Sequence, residues 1–398
     1  MLAADYHAKN LDDMIPTHLN RAQRRALWHI LKKHSILFSG KLGKLPCKPV
    51  HLELTDPNAK PYHGKPYQVP RSLLPLLKKE VERLCEIGVL RKTNNSEWAA
   101  QGFAVPKKNK QIRFVTDFCM LNRFLRRYPF PLPSIQEIMR TVDGLTFVSV
   151  LDLNMGFWTI QLDKESQRLA TVILPWGKYS YQRLAMGLSV SPDIYQEKMS
   201  AIFSDMENII CFIDDIALIT NGSFENHLNK LDEILQRLKE NNLQVNGDKS
   251  SFCAIEAEFL GFVLTRQGVK PQVKKVEAIV KIATPKTVKQ VRSFIGMINY
   301  YKDHIPRRSD LLTPLTALTK KGARFKWTDD CQHSFDELKR LLAKQMVLAY
   351  PDFAIPFEIY TDASNKQIGS VIQQNRRPLA FYSHKLGLLR HVVRHANL

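Results

Sequence analysis

Apolar positions recur along this chain in two spacings, and their alternation predicts the layers of an α+β fold. The mixed, basic opening suits a short helix over 21–31, and Pro46 to Pro70 reads as an extended, proline-punctuated lead-in. Ser72 opens a helix with Leu73, Leu77, Val81 and Leu84 on its apolar face, and Gly88 stops it. Phe103-Ala104-Val105 and Ile112-Arg113-Phe114-Val115 suit a hairpin turning at Lys108-Asn109-Lys110. Phe147 to Leu153 is a near-continuous apolar run of buried-strand length with one charge, Asp152. Ser191-Pro192-Asp193 carries the cap, early proline and first-turn acid of a helix start; that helix buries Ile194, Tyr195, Met199, Ile202 and Phe203. Ile209 to Ile219 is apolar except at Asp214-Asp215, which falls where a tight turn joins two short strands. A second helix follows with Leu228, Leu231, Leu235 and Leu238 on one stripe, and then Leu243–Val245 and Phe259–Leu264 read as strands. Strand, helix, hairpin, helix and strand in that order predict a sheet covered by helices on one face. Val288, Val291, Ile295 and Ile298 make another helical stripe, and three strands close the chain at Pro356–Ala363, Ile368–Gln373 and Leu379–Ser383.

Composition adds a partner to this picture. Of 398 residues 44% are hydrophobic and 24% charged, the balance of a globular protein with room for two or three domains. Lys+Arg of 58 against Asp+Glu of 38 leaves +20, which points to a polyanion. The excess is concentrated in two blocks. Lys107, Lys108, Lys110, Arg113, Arg123, Arg126 and Arg127 face one acid, Asp117, in 101–130. Residues 270–308 hold ten Lys or Arg against Glu277 and Asp303, interleaved with Phe294, Tyr300 and Tyr301, a pattern suited to a nucleic-acid duplex. The six scattered cysteines show no metal-binding spacing and predict reduced thiols. His391 and His395 lack a third ligand. With no signal peptide and no apolar run long enough to span a bilayer, the expected setting is inside the cell, in a cytoplasmic particle or the nucleus, without membrane contact.

The carboxylates set the candidate chemistry. Adjacent acids beside a hydrophobic core are costly unless a cation compensates them, and a hard ion such as Mg²⁺ is the natural compensator. Alone, an Asp-Asp turn also fits an ordinary hairpin surface. Joined by Asp152 at a strand end, it becomes a three-carboxylate set of the kind that holds two metal ions for nucleotidyl transfer.

At this point the sequence resembles the reverse transcriptases of gypsy-type LTR retrotransposons, from about residue 46 to 386. Gln111-Ile-Arg-Phe-Val-Thr-Asp-Phe-Cys-Met-Leu-Asn122 is similar to the fingers motif and Tyr128-Pro-Phe-Pro-Leu-Pro133 to the "YPLP" segment. Leu151-Asp-Leu-Asn-Met-Gly-Phe-Trp-Thr-Ile-Gln161 resembles the first catalytic motif, and Leu184-Ala-Met-Gly-Leu-Ser-Val-Ser-Pro192 the loop beneath the nucleotide. Phe212-Ile-Asp-Asp215 resembles the tyrosine-x-Asp-Asp box and Phe259-Leu-Gly261 the primer grip. The resemblance implies a right-hand polymerase of fingers, palm and thumb with a ferredoxin-like palm, then a connection and a partial α/β RNase H-like domain. The implied boundaries are 1–45 for a linker or Pol spacer, 46–265 for fingers and palm, 266–325 for thumb and connection, and 326–398 for a truncated RNase H-like domain.

It also implies roles. Asp152, Asp214 and Asp215, helped by the Leu153 carbonyl, would hold two Mg²⁺ ions, with Mn²⁺ as a substitute. Arg113 and one of Lys107, Lys108 or Lys110 would meet the dNTP triphosphate. Phe157 would exclude a 2′-hydroxyl, Gly187 would admit the incoming base pair, and Lys249 would donate a proton to pyrophosphate. Phe259, Leu260, Gly261, Lys274 and Lys275 would contact the primer–template, an RNA template with a DNA primer or an RNA–DNA duplex. Phe212 stands where the family has Tyr, and Ala185 where it usually has Pro; neither removes a metal ligand. Trp327-Thr-Asp-Asp-Cys-Gln-His-Ser-Phe335 and Tyr360-Thr-Asp-Ala-Ser364 look like the connection and the start of RNase H, with Asp362 as a vestigial metal ligand. No Asp or Glu follows Asp362, so RNase H activity is expected to be absent from this chain. The expected function is RNA-directed DNA polymerase; the rivals are an inactive nucleic-acid-binding remnant of a degenerate element, and a nucleotide cyclase. Oligomeric state is not legible in the sequence.

Overall fold

The computed structural model describes residues 10–107, 111–132, 142, 144–364 and 367–386. The chain divides into two compact units. The first takes the described residues up to Leu132 with Ser149–Leu218 and Phe224–Cys253; the second takes Ile219–Ser223, the described part of 134–148, and Ala254 onward.

The opening helix α1 (Arg21–Lys33) starts on a capping box in which Asn20 and Gln23 satisfy each other's backbone amides. Helix α2 (Leu74–Glu86) begins two residues later than expected. Ser72 caps nothing, and Pro75, with its preset φ and missing donor, marks the start instead. Strands β1 (Leu90–Thr93), β2 (Ala100–Pro106) and β3 (Ile112–Asp117) follow. β2 and β3 form the expected antiparallel hairpin, with Val105 opposite Arg113, although its turn residues 108–110 lie outside the described residues.

Strand β4 (Phe147–Asp152) leads through a 3₁₀ turn and helix α3 (Lys164–Leu169) to β5 (Thr171–Leu174) and β6 (Gly177–Tyr181). These complete a five-stranded sheet of order β1-β6-β5-β2-β3. Helix α4 (Ser191–Phe203) precedes β7 (Ile209–Phe212) and β8 (Asp215–Thr220), and helix α5 (Phe224–Glu240) precedes β9 (Ser251–Ala254). The second sheet has order β7-β8-β4-β9, so the strands bearing Asp152 and Asp215 are direct neighbours. Helix α5 buries Leu228, Leu231, Ile234, Leu235 and Leu238; at about 1.5–3 kcal/mol each, these side chains supply much of the drive to form that layer.

Two local readings change here. Ser191 does not cap α4: its hydroxyl donates to Ala185 O (2.7 Å), while Asp193 accepts from Arg127 Nε and Nη2 and from the Phe130 amide. Leu243–Val245 is not a ladder strand, and only Val245 bridges to Leu153.

In the second unit, β10 (Glu256–Phe259), β11 (Phe262–Thr265) and β12 (Gly268–Pro271) form an antiparallel sheet. Phe259–Leu264 is therefore a hairpin rather than one strand. Leu260 and Gly261 are its two turn residues, at φ of 47° and 82°, the double left-handed conformation that twisted hairpins favour. Helices α6 (Val273–Val280) and α7 (Val288–Tyr300) come next, then the short α8 (Arg308–Leu311) and α9 (Thr313–Ala317), and α10 (Asp329–Ala343). Phe294 and Tyr301, expected among the basic residues of a nucleic-acid face, are instead core at 1% and 2% exposure. The helical period places both on the buried side, where Phe294 packs on Phe335 at 4.6 Å. Strands β13 (Glu358–Ala363), β14 (Gln367–Gln374) and β15 (Arg377–Lys385) form the expected meander, turning at Asn375-Arg376. All six cysteines are free thiols, and among the described residues no helix is long and apolar enough to cross a membrane.

Candidate active site

Three backbone segments meet at the end of β4. Leu153 N donates to Asp214 O (2.9 Å), which ties the end of β4 to the Asp-Asp turn. Asn246 N donates to Asp152 O (2.8 Å), and Asp152 N donates to Ser250 Oγ (3.1 Å). Asp152 is thereby fixed on both sides of its peptide plane.

The β7–β8 turn is built under strain. Ile213 sits at φ 56°, a left-handed conformation that a β-branched residue adopts at a cost of about 1–3 kcal/mol. Gln196 of α4, fully enclosed, holds it there. Its Oε1 accepts from Ile213 N (2.7 Å) and its Nε2 donates to Cys211 O (3.0 Å). One carboxamide thus spans the turn and fixes where Asp214 and Asp215 point.

The electrostatics follow from this crowding. Burial raises the Asp215 carboxyl to about 6, with the charges of Asp214 and Asp152 adding to the effect. Burial also raises Asp214 and Asp152, and Asp152 feels Asp214 as well. The Lys249 ammonium, 3.6 Å from Asp152 Oδ2 and largely exposed, opposes all three shifts. One solvated lysine does not balance three half-buried carboxylates. Among the described residues no group of three acidic, histidine or cysteine side chains stands ready to hold a metal ion. An open, under-compensated carboxylate set fits Mg²⁺, which keeps waters and takes substrate phosphate oxygens beside one or two carboxylates.

The other expected residues distribute as follows. Phe157 lies on the 3₁₀ turn Gly156–Thr159, half-buried, its ring 5.2 Å from that of Tyr195. Gly187 has φ 93°, a left-handed conformation that suits glycine, while a Cβ there would meet only ordinary contacts. Asn122 clamps the same loop, donating to Gly187 O (2.9 Å) and accepting from Ser189 N (2.8 Å). Arg113 is exposed on β3, and Lys110 lies outside the described residues. In the second unit Phe259 is buried at 2% exposure, so its ring belongs to the hairpin core and not to a contact surface. Leu260 and Gly261 form the turn, Lys274 and Lys275 are exposed, and Lys275 Nζ lies 5.6 Å from the Tyr300 ring centre. Asp362 stands opposite Gly369 on the fully exposed β13.

Sequence reasoning missed Gln196. Its only signal was a polar residue interrupting the apolar positions Tyr195 and Met199.

Residues 105–264 match the reverse transcriptase (RNA-dependent DNA polymerase) family, and residues 327–391 the RNase H-like domain found in reverse transcriptase. The retrovirus-related Pol polyprotein from transposon 297 of Drosophila melanogaster is 31% identical over 379 residues, 93% of this chain and 36% of that protein. That from transposon 412 of the same organism is 33% identical over 334 residues, 81% of this chain and 27% of that protein. The chain spans about a third of the length of these relatives. Among solved structures, foamy viral protease-reverse transcriptase in complex with dsDNA matches with a TM-score of 0.87 at 22% identity, covering 100% of this chain and 86% of that one. The same protein with an RNA/DNA hybrid matches at 0.82 and 22% identity, covering 97% and 54%. At these identities the likeness is one of fold, a polymerase right hand followed by an RNase H-like sheet. Motif order, fold and relatives agree: the chain carries a reverse transcriptase domain over residues 105–264 followed by an RNase H-like domain over 327–391, and is similar along most of its length to retrotransposon Pol polyproteins.

Proposed function

We propose that the chain is an RNA-directed DNA polymerase, adding dNTPs to the 3′-hydroxyl of a DNA primer paired to an RNA or DNA template. The observation that carries this reading is the set Asp152, Asp214 and Asp215, brought together by neighbouring strands and the turn between them, where burial raises all three carboxyls and a single exposed lysine opposes it. Asp152, Asp214 and Asp215, with the Leu153 carbonyl, would hold two Mg²⁺ ions. When bound, these ions lower the pKa of the primer hydroxyl and neutralise charge on the departing pyrophosphate. The protein's own share is positioning. Gln196 aims the two turn aspartates, and Asn122 holds the glycine loop open beside the nucleotide. Phe157, backed by Tyr195, presents an aromatic edge where a 2′-hydroxyl would clash. Arg113 and Lys249 supply charge to the triphosphate and to the leaving group. Residues 46–265 act as fingers and palm, 266–325 as thumb and connection, and 326–398 as the RNase H-like part.

Primer extension by the whole chain tests the reading. Elongation of a DNA primer on an RNA template, dependent on a divalent cation and on dNTPs, is the expected result. Folded protein that retains the primer–template yet adds no nucleotide with Mg²⁺ or Mn²⁺ would overturn it and leave a binding remnant.

A further inference from the structure

The segment from His34 to Leu45, which the motifs of the polymerase do not include, is built into the floor of the active site. Leu37 and Phe38 are buried, and the Phe38 ring packs edge-on against Phe252 at 6.0 Å. Lys33 and His34 both reach Asp232 of α5 at 2.7 Å. Gly43 passes so close to the palm that an added Cβ would fall 1.9 Å from Asn242 O. Leu45 N donates to Thr159 O (2.9 Å), at the end of the turn that carries Phe157.

The central connection runs through Gln244, which is 8% exposed. Carbonyls can only accept, so the carboxamide nitrogen of Gln244 faces Ile36 O (3.1 Å) and Leu37 O (3.2 Å), and it also reaches Ser39 Oγ (2.8 Å). Val245 N adds a bond to Leu37 O (2.9 Å). The same short stretch then faces the catalytic strand. Gln244 O accepts from Asn154 N (2.7 Å), Val245 bridges Leu153, and Asn246 N donates to Asp152 O. Residues 36–39, 243–246 and 152–154 therefore form three successive layers of backbone, with Gln244 bonded to both neighbours.

We infer that Gln244 is a positioning residue for polymerisation, through which the 36–39 segment sets the backbone of Asp152 and Leu153. The proposal rests on the polymerase reading of that site. It also makes the functional palm begin upstream of residue 46. A carboxylate that must meet a metal ion and a phosphoryl group tolerates little displacement, and an error of about 1 Å costs up to about 100-fold in rate. Residues that orient a metal ligand from behind change metal affinity by about 10- to 100-fold when removed.

Gln244→Met keeps the length and volume of the side chain while deleting its donors, and Gln244→Glu turns an acceptor toward the Ile36 and Leu37 carbonyls. Each variant, and Ser39→Ala, is assayed as the whole chain by single-turnover dNTP incorporation at several Mg²⁺ concentrations. Active-site titration counts competent molecules. The expected result for Gln244→Met is a per-site rate at least about tenfold lower and a half-saturating Mg²⁺ concentration raised about tenfold, with primer–template affinity within about twofold of wild type. Gln244→Glu falls further, and Ser39→Ala, which leaves the two carbonyl partners, falls least. A merely structural role would lower the competent fraction and the melting temperature while leaving the per-site rate and Mg²⁺ dependence unchanged, and that result would overturn the proposal. If wild type itself incorporates nothing, the polymerase reading fails first; if wild type works and Gln244→Met matches it per site, only this inference fails.

Discussion

At the Asp214 turn a single enclosed side chain decides the backbone shape. Ile213 would relax from φ 56° if nothing bonded its amide, and Gln196 supplies that bond while gripping Cys211 from the other side. Gln196→Leu removes both interactions in similar volume and leaves two partly buried backbone groups unpaired, a loss of about 2 kcal/mol. The expected outcome is a lower melting temperature and nucleotide addition reduced on the order of 100-fold, since both turn aspartates lose their bearing. Unchanged addition in a folded variant would show that the strand ladder alone shapes the turn. None of this could be read ahead. Asp152, Asp214 and Asp215 stand out in sequence because charge inside an apolar run is conspicuous. Gln196 does not, because a carboxamide on a helix acquires a role only from the carbonyl and amide that a distant strand brings to it. Phe259 failed in the opposite direction: its motif placed it at a contact surface, and the pleat of β10 turned its ring inward.

Among the elements, the packing of α5 on β4 is titratable. His227 is buried with Nε2 2.8 Å from Ser149 Oγ, which also accepts from Cys253 N. Burial pushes this imidazole down to about 4, and His304 in the second unit likewise. The sign follows from proton counting. Between about 6.5 and 4 the unfolded chain binds a proton that the folded chain refuses, so stability is full above 6.5 and is lost as pH falls towards 4. Each histidine accounts for on the order of 3 kcal/mol across that window. The raised Asp215 carboxyl opposes this below about 6, where the folded chain takes up a proton that the unfolded chain does not, so the histidine share is read by difference: wild-type urea midpoints should decline more steeply from pH 7.5 to 5.5 to 4.5 than those of His227→Gln, and parallel declines would refute the assignment. Elements with strong periodicity, such as α5 and the β2–β3 hairpin, were legible in the pattern of apolar residues. β5 and β6, at four and five residues, were not, because so short a run needs neighbouring strands before it becomes a strand at all. The Phe259–Leu264 hairpin was missed because Leu-Gly is a weaker turn signal than Asn-Gly.

For the molecule as a whole, a net charge of +20 has a consequence apart from chemistry. Binding to a primer–template should weaken linearly on a log–log plot against salt, by about 0.9 per phosphate neutralised. Lys274→Glu with Lys275→Glu should flatten that slope by about two. Affinity insensitive to salt would mean that the basic blocks are solvated surface. The claim on which the rest depends is that the three aspartates form one polymerising centre. Single-nucleotide incorporation on an RNA template with a DNA primer tests it most directly, with wild type and Asp214→Asn run side by side in Mg²⁺ and then in Mn²⁺. Addition by wild type and a loss of about 1000-fold or more in the variant, with primer–template binding retained, are the expected results. Equal addition by the two proteins would contradict it.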